Sequence, residues 1–207
     1  MALTKRVTSY HHGELREALV VAGRKLLEEK GLRDFTLREC ARRAAVSHAA
    51  PAHHFASLDD LLAEIATRGF RELAATMTVE GRRAGSDPTA LLIGHGVGYM
   101  AFAAAHPMLF RLMFNREADR LETPRLAAEA EGAYQLQVAA VAAVIPQAST
   151  AVKERMVDFA WATVHGFITL VLEGQIGGEE LSSRALKTRG LAMLSAMAET
   201  VVRSGSC

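Results

Sequence analysis

The chain has 207 residues, half of them apolar and 23% charged, enough to bury a hydrophobic core without disulfides or a structural metal. Alanine fills 37 positions and proline only five, the composition of an all-helical protein. The net charge of +1 hides a division: residues 1–55 carry 10 Lys or Arg against 6 Asp or Glu, and the remainder 14 against 17. Five of the eight histidines, His11, His12, His48, His53 and His54, lie in that basic part. A basic head on a mildly acidic body points to a polyanionic partner, although a solvated face gives the same imbalance. The longest unbroken apolar run, Val138 to Ile145, ends at Pro146, well short of a membrane span. Met1 to Arg6 lead into no apolar signal core, and Cys40 and Cys207 show neither metal nor redox spacing. The expectation is a cytoplasmic chain with no membrane segment, no cofactor and no metal.

Helix punctuation then divides the chain. Leu15, Leu19, Ala22 and Leu26 form a buried stripe on a helix over residues 14–30, which Gly31 stops. Thr36, with Glu39 three residues on, reads as a capping box for a short second helix, Leu37 to Ala44. Val46-Ser47 makes a tight connection, and Ser47 is the natural N-cap of a third short helix, His48 to Phe55, with Pro51 in its first turn. Ser57 and Asp60 open a long fourth helix, Leu58 to about Thr76. Asp87-Pro88, His106-Pro107 and Thr123-Pro124 each start a helix, and Pro146 ends one. A segment from about Thr150 runs to Gly174, Gly177-Gly178 breaks the chain, and a last amphipathic helix spans 183–203. No run alternates with period two, so the fold class is all-α, about nine helices.

The second and third helices carry the most specific signal. Two short helices joined by a tight turn inside a basic segment describe a helix-turn-helix, with Ala41 and Ala45 small at the crossing and Val46 plugging the turn. An ordinary helical hairpin has the same spacing. The stretch from Thr36-Leu-Arg-Glu-Cys-Ala41 through Val46-Ser47, Pro51 and His54-Phe55 to Ser57, preceded by Tyr10-His11-His12-Gly13-Glu14-Leu15-Arg16, decides between them. It closely resembles the N-terminal signature of the tetracycline-repressor (TetR) family of bacterial regulators, with matching spacing from Ser9 to Leu62. The resemblance implies a DNA-binding domain over residues 1–56 and a helical effector-binding and dimerisation domain over 57–207. It implies a homodimeric repressor on an inverted-repeat operator in double-stranded DNA, released by a small-molecule effector. Lys5, Arg6 and Tyr10 would form an arm, and Thr36, Arg38, Arg42, Ser47 and His54 would meet the backbone or bases. His48, Ala49, Ala50 and His53, in the first turns of the third helix, would face base edges. That helix carries no Arg, Asn or Gln for bidentate base contacts. Three positions depart from the family pattern. Ala45 replaces the usual Gly, which should only crowd the turn, while Ala52 replaces a phosphate-contacting Tyr and Leu58 a phosphate-contacting Lys.

In the later chain, His106-Pro107-Met108-Leu109-Phe110 and Trp161-Ala-Thr-Val-His165-Gly166 resemble the C-terminal domain type named for its Trp–His–Gly motif. That likeness implies pairing of the last two helices with a second subunit as a four-helix bundle. Leu186, Leu191, Leu194, Met197 and Val201 offer an apolar face that one small domain would struggle to bury, although an intramolecular core shows the same pattern. Tyr99, Phe102, Phe110, Met113, Phe114, Tyr134, Phe159 and Trp161 gather adaptable side chains suited to an apolar effector pocket, and equally to a core. His165, on one helix face with Trp161, could bond an effector or tie two helices, and Gly166 would permit close helix approach. Gly94-His95-Gly96-Val97-Gly98 lacks a preceding strand and is not a nucleotide loop. No Glu-x-x-His, His-Glu-x-x-His or Gly-x-Ser-x-Gly occurs, so an enzyme is not expected. A helical adaptor for protein partners remains the alternative, but it leaves the basic, correctly spaced head unexplained.

Overall fold

The computed structural model describes residues 10–114, 121, 123–176 and 184–205, with side chains from Glu14 onward. Lys5, Arg6 and the side chain of Tyr10 lie outside the described residues, as does Gly177-Gly178. Among the described residues the following elements come in order: α1 (Tyr10–Lys30), α2 (Leu37–Arg43), a 3₁₀ turn (Ala50–His53), α3 (Leu58–Ala84), α4 (Pro88–Ala105), α5 (Pro107–Phe114), α6 (Pro124–Val144), α7 (Thr150–Leu172) and α8 (Arg184–Ser204). No strand occurs among the described residues.

The boundaries follow from local chemistry. Thr36, Asp87, Thr123 and Ser149 each accept a first-turn N–H, which caps α2, α4, α6 and α7. Ser57 and Asp60 form a complete reciprocal box at α3, each backbone N–H donating to the other's side chain at 3.0 and 3.1 Å. The expected box at α2 is only half made. Glu39 does not reach back, because Arg42 and Arg43 take its carboxylate. α3 also runs eight residues beyond the expected Thr76.

The chain divides into two compact units, one of residues 1–69 with 108–126 and the other of 70–107 with 127–207. In the first, Leu19, Leu26 and Leu27 of α1 are buried with Phe35, Cys40, Ala41, Phe55, Leu61 and Ile65. α5 packs here on Gly69, where a Cβ would come within 2.5 Å of Met113 Sδ. Glu28 of α1 accepts from the Met108 and Leu109 N–H groups and so satisfies the start of α5.

In the second unit, small residues set the packing. A Cβ on Gly94 would lie 2.6 Å from the Glu80 carbonyl oxygen, and one on Gly98 2.7 Å from Met77 Cα, so α4 meets α3 backbone to backbone. Gly96 faces Leu194 of α8 instead. The Gly-His-Gly-Val-Gly run is therefore a packing seam. Leu186, Leu194, Met197 and Val201 are buried within the chain itself, while Leu191 and Val202 face outward. The chain itself thus covers four of the five residues of that expected apolar face and leaves Leu191 uncovered. Within the chain, a Cβ on Gly166 would meet nothing within 4 Å, so no helix of the same chain approaches it closely among the described residues. α4 and α7 are long and apolar enough to cross a membrane, with mean hydropathy 1.2. Here both pack against α8 and each other.

Candidate nucleic-acid interface

α2 buries Cys40 and Ala41 and turns Arg38 and Arg42 outward. Burial pushes the Cys40 thiol up to about 11, which keeps it protonated and inert. The helix ends in a Schellman motif: Val46 N–H donates to Ala41 C=O at 3.0 Å, and Ala45 N–H to Arg42 C=O at 3.2 Å. That motif needs a left-handed residue, and Ala45 takes it with φ +56°. The consequence of alanine here is thus backbone strain of about 1–2 kcal/mol, not crowding.

The following segment is tighter than expected. An α-helix from His48 to Phe55 is replaced by a 3₁₀ turn, Ala50–His53, in which Pro51 is buried at the start. Ser47 is not a side-chain cap; its backbone carbonyl accepts from Ala50 N–H at 3.0 Å. The turn points His48, Ala49, Ala52 and His53 to solvent, leaves Ala50 and His54 half-buried, and buries Phe55. His48, Ala49 and His53 are therefore presented together, whereas His54 lines a cleft behind them with Arg16 and Phe55. Ala52 is exposed and Leu58 half-buried, so both positions have room for longer side chains.

The cations around this segment are not equally available. Arg42 donates twice to Glu39, at 2.7 and 2.8 Å, and Arg43 bridges Glu39 and Glu29. The bond from Arg42, then that from Arg43, holds the Glu39 carboxyl down at about 2. Arg38 is exposed, with no ion pair recorded among the described residues. Thr36 accepts from Glu39 N–H at 3.2 Å and keeps its own hydroxyl proton to donate to a phosphate. Sequence reasoning missed the ion-pair centre behind the turn, where Arg16, Arg68 and Arg125 converge on Glu64. Arg16 and Arg125 lie 48 and 61 positions from Glu64, so no local spacing marks them.

The expected effector residues fall into two groups. Phe110, Met113 and Phe114 belong to the first unit, where Phe110 and Phe114 stack at 4.8 Å. In the second unit, Tyr99 and His165 share a 2.7 Å hydrogen bond, with Trp161 edge-on to His165 and Tyr134 5.5 Å from Trp161. Phe102 packs on His106, and Phe159 faces solvent. Burial raises the Tyr99 phenol above its ordinary range and lowers His165, so both groups are held neutral. His95 is also buried and lowered by burial, and its Nδ1 has no hydrogen-bond partner among the described residues. Among the described residues, no group of His, Cys, Asp or Glu could hold a metal ion.

Residues 19–65 match the sequence model of the bacterial regulatory proteins of the tetR family, and residues 92–194 that of the tetracyclin repressor-like C-terminal domain. The chain belongs to the tetR family. Its fold is shared with a protein of unknown function from Rhodococcus sp. RHA1, at TM-score 0.76 and 29% identity over 95% of this chain and 98% of that one. A TetR family transcription regulator from Marinobacter aquaeolei VT8 matches at TM-score 0.66 and 16% identity, over 91% and 97% of the two chains. The multidrug binding protein EbrR, in complex with imidazole, matches at TM-score 0.59 and 18% identity, over 88% and 93%. No curated protein matches the chain. This TetR family regulator thus carries a helix-turn-helix head and a helical C-terminal domain.

Proposed function

We propose that this regulator is a cytoplasmic homodimeric repressor that binds an inverted-repeat operator through residues 1–56 and releases it when residues 57–207 bind a small molecule. The observation that carries the reading is the exposed patch of His48, Ala49, Ala52 and His53, backed by buried Pro51 and Phe55. Such a patch offers thymine methyls two alanine methyls, and base edges or phosphates two imidazoles. The exposed Thr36 hydroxyl and Arg38, on the preceding helix, would add phosphate contacts. Arg42 keeps three N–H donors beyond the two on Glu39, but that carboxylate neutralises part of its charge, which makes it a weaker anchor than its exposure suggests.

Dimerisation through the last two helices is supported by their outward faces, of which Leu191 is the one member of the expected stripe. Phe159, Gly166 and Leu170 share one outward face of α7, and Leu191 and Val202 one of α8. Two such faces related by a two-fold axis make a four-helix contact and would set two heads on one side of a duplex. The effector reading is supported by the neutral Tyr99–His165 pair and the unpaired His95 Nδ1, since buried polar atoms are nearly always satisfied. α3, continuous from one unit into the other, is the lever through which an effector would act.

Selection of bound duplexes from a random pool tests the reading directly. An inverted repeat should emerge; recovery of no preferred sequence and no retardation would sink it. On the selected operator, Leu58→Lys should steepen the dependence of log affinity on log salt by about 0.9, because it adds one phosphate contact. An unchanged slope would mean that the start of α3 does not face the backbone.

A further inference from the structure

Arg16 of α1 and Arg125 of α6 meet at a single atom. Arg16 Nη2 donates at 2.8 Å and Arg125 Nη1 at 3.0 Å to the same oxygen, Glu64 Oε2, while Arg68 Nε holds Oε1 at 2.9 Å. A guanidinium carries five N–H donors, and Glu64 takes one from each of Arg16 and Arg125. Both residues line a cleft of about 280 Å³ whose wall also includes His54, Phe55, Asp60 and Thr123. Arg16 is fixed there, with its guanidinium carbon 5.0 Å from the centre of the Phe55 ring. Thr123 accepts from Leu126 N–H at 3.1 Å as the cap of α6, which leaves its hydroxyl proton to donate.

Glu64 does not use up this donor set. Both of its carboxylate oxygens are engaged, and it is only 6% exposed, against 37% for Arg16 and 57% for Arg125. Asp60, the other carboxylate on the wall, is exposed to solvent and tied to the Ser57 N–H. What faces the cleft is therefore the remaining edge of two guanidinium forks, the geometry that recognises carboxylate or phosphate. The volume lies at the small end of the range for ligand clefts, roughly 300 Å³ upward, so a short acid or a phosphate fits and a large aromatic effector does not.

We propose that this cleft binds a small anion, a carboxylate or a phosphate, between Arg16 and Arg125. Because His54 and Phe55 end the DNA-facing segment and line the same space, an occupant touches that segment directly; this consequence for DNA rests on the proposed function, whereas anion binding does not.

The test is isothermal titration of the full chain without DNA, with succinate and with inorganic phosphate as probes, at an ionic strength held constant with chloride. The native protein should bind one or both saturably, and whichever binds identifies the chemistry. Arg125→Gln should bind about tenfold more weakly or worse. Arg71→Gln, which removes an ion pair to Glu129 in the other unit, should bind as the native protein does. An amide chemical-shift map of the native protein under titration should place the perturbed residues at 54–67 and 123–126, independently of any variant. Absence of saturable binding by both probes in the millimolar range overturns the proposal, as does native affinity in Arg125→Gln or a shift map centred elsewhere. Saturable binding by a protein that fails to retard DNA would leave this site standing while the DNA reading falls.

Discussion

The two compact units are held together by different means. In the first, charge does much of the joining: Glu64 gathers Arg16, Arg68 and Arg125, Glu17 adds to Arg68, and Glu39 and Glu29 hold Arg43. In the second, Gly94 and Gly98 bring α4 onto α3, and Gly190 of α8 lies under Met100. A charged junction tolerates changes of shape and responds to pH and salt. A close-packed seam tolerates neither added volume nor added charge. The head should therefore be tunable through its ions, and the body breakable through single atoms of bulk.

The largest expected effect separates two faces of α8. Leu194 is fully buried against Gly96, so Leu194→Asp places an unpaired carboxylate in the core and should cost about 4 kcal/mol or more, enough to prevent folding. Leu191, 47% exposed on the other face, should accept Asp with a change in monomer stability within about 0.5 kcal/mol. If α7 and α8 form the dimer contact, that second variant should be a folded monomer by light scattering and lose operator affinity. A folded Leu194→Asp protein would refute the packing argument, and a dimeric Leu191→Asp protein the interface.

Removal of the central carboxylate of the first unit comes next. Glu64→Gln leaves three guanidinium groups without their shared charge and should lower stability by about 2 kcal/mol in urea denaturation. The loss should shrink in high salt, since the arginines are partly exposed. A salt-independent loss would show that the site acts through packing.

Acid sharpens the comparison further. Burial lowers His95 and His165 from 6.5, so the second unit has stability that is present above that pH and lost as protonation is forced below it. In the first unit, burial pushes Glu64 up, but hydrogen bonds from Arg16 and Arg68 and the charges of Arg16 and Arg125 outweigh it and hold the carboxyl at about 2. Its contribution is present above 4.5 and disappears as pH falls towards 2. Trp161, the sole tryptophan, lies in the second unit and reports on it. Its fluorescence should begin to change in the histidine range, before the carboxylate range is reached, and His95→Gln should delay that onset. Coincident onset in both proteins would contradict the assignment.

The smallest effect is a gain. Ala45→Gly relieves a left-handed alanine at about 1–2 kcal/mol, offset by the greater chain entropy of glycine at about 0.4–1 kcal/mol, for a net stabilisation of roughly 0.5–1 kcal/mol. A lower urea midpoint in the variant would show that the alanine is not strained.

Much of this protein was legible in its sequence because its signals are local. A helix start needs only an acceptor and a prolyl or polar first turn within four residues, which is why Asp87-Pro88, Thr123-Pro124 and Ser57–Asp60 placed α4, α6 and α3 correctly. The head motif is likewise a contiguous stretch with fixed spacing, so the tetR family could be read from it. Direction was harder. Leu186, Leu194, Met197 and Val201 of the expected stripe are buried and Leu191 is not, but a stripe does not say whether its cover comes from the same chain, and α4 and α7 pack on α8 here, with Gly96 against Leu194. The sign of a backbone angle was also hidden: alanine at position 45 is ordinary by composition and strained only because the Schellman hydrogen bonds impose a left-handed turn. Glu64 with its arginines, and Tyr99 with His165, were beyond any periodicity. Their partners are 48, 61 and 66 positions apart, and only folding brings such groups within hydrogen-bond distance. Sequence settled where the capped and proline-led helices begin and which family they build; packing settled which faces are spent inside the chain and which charges meet, because those depend on distances that no local pattern encodes.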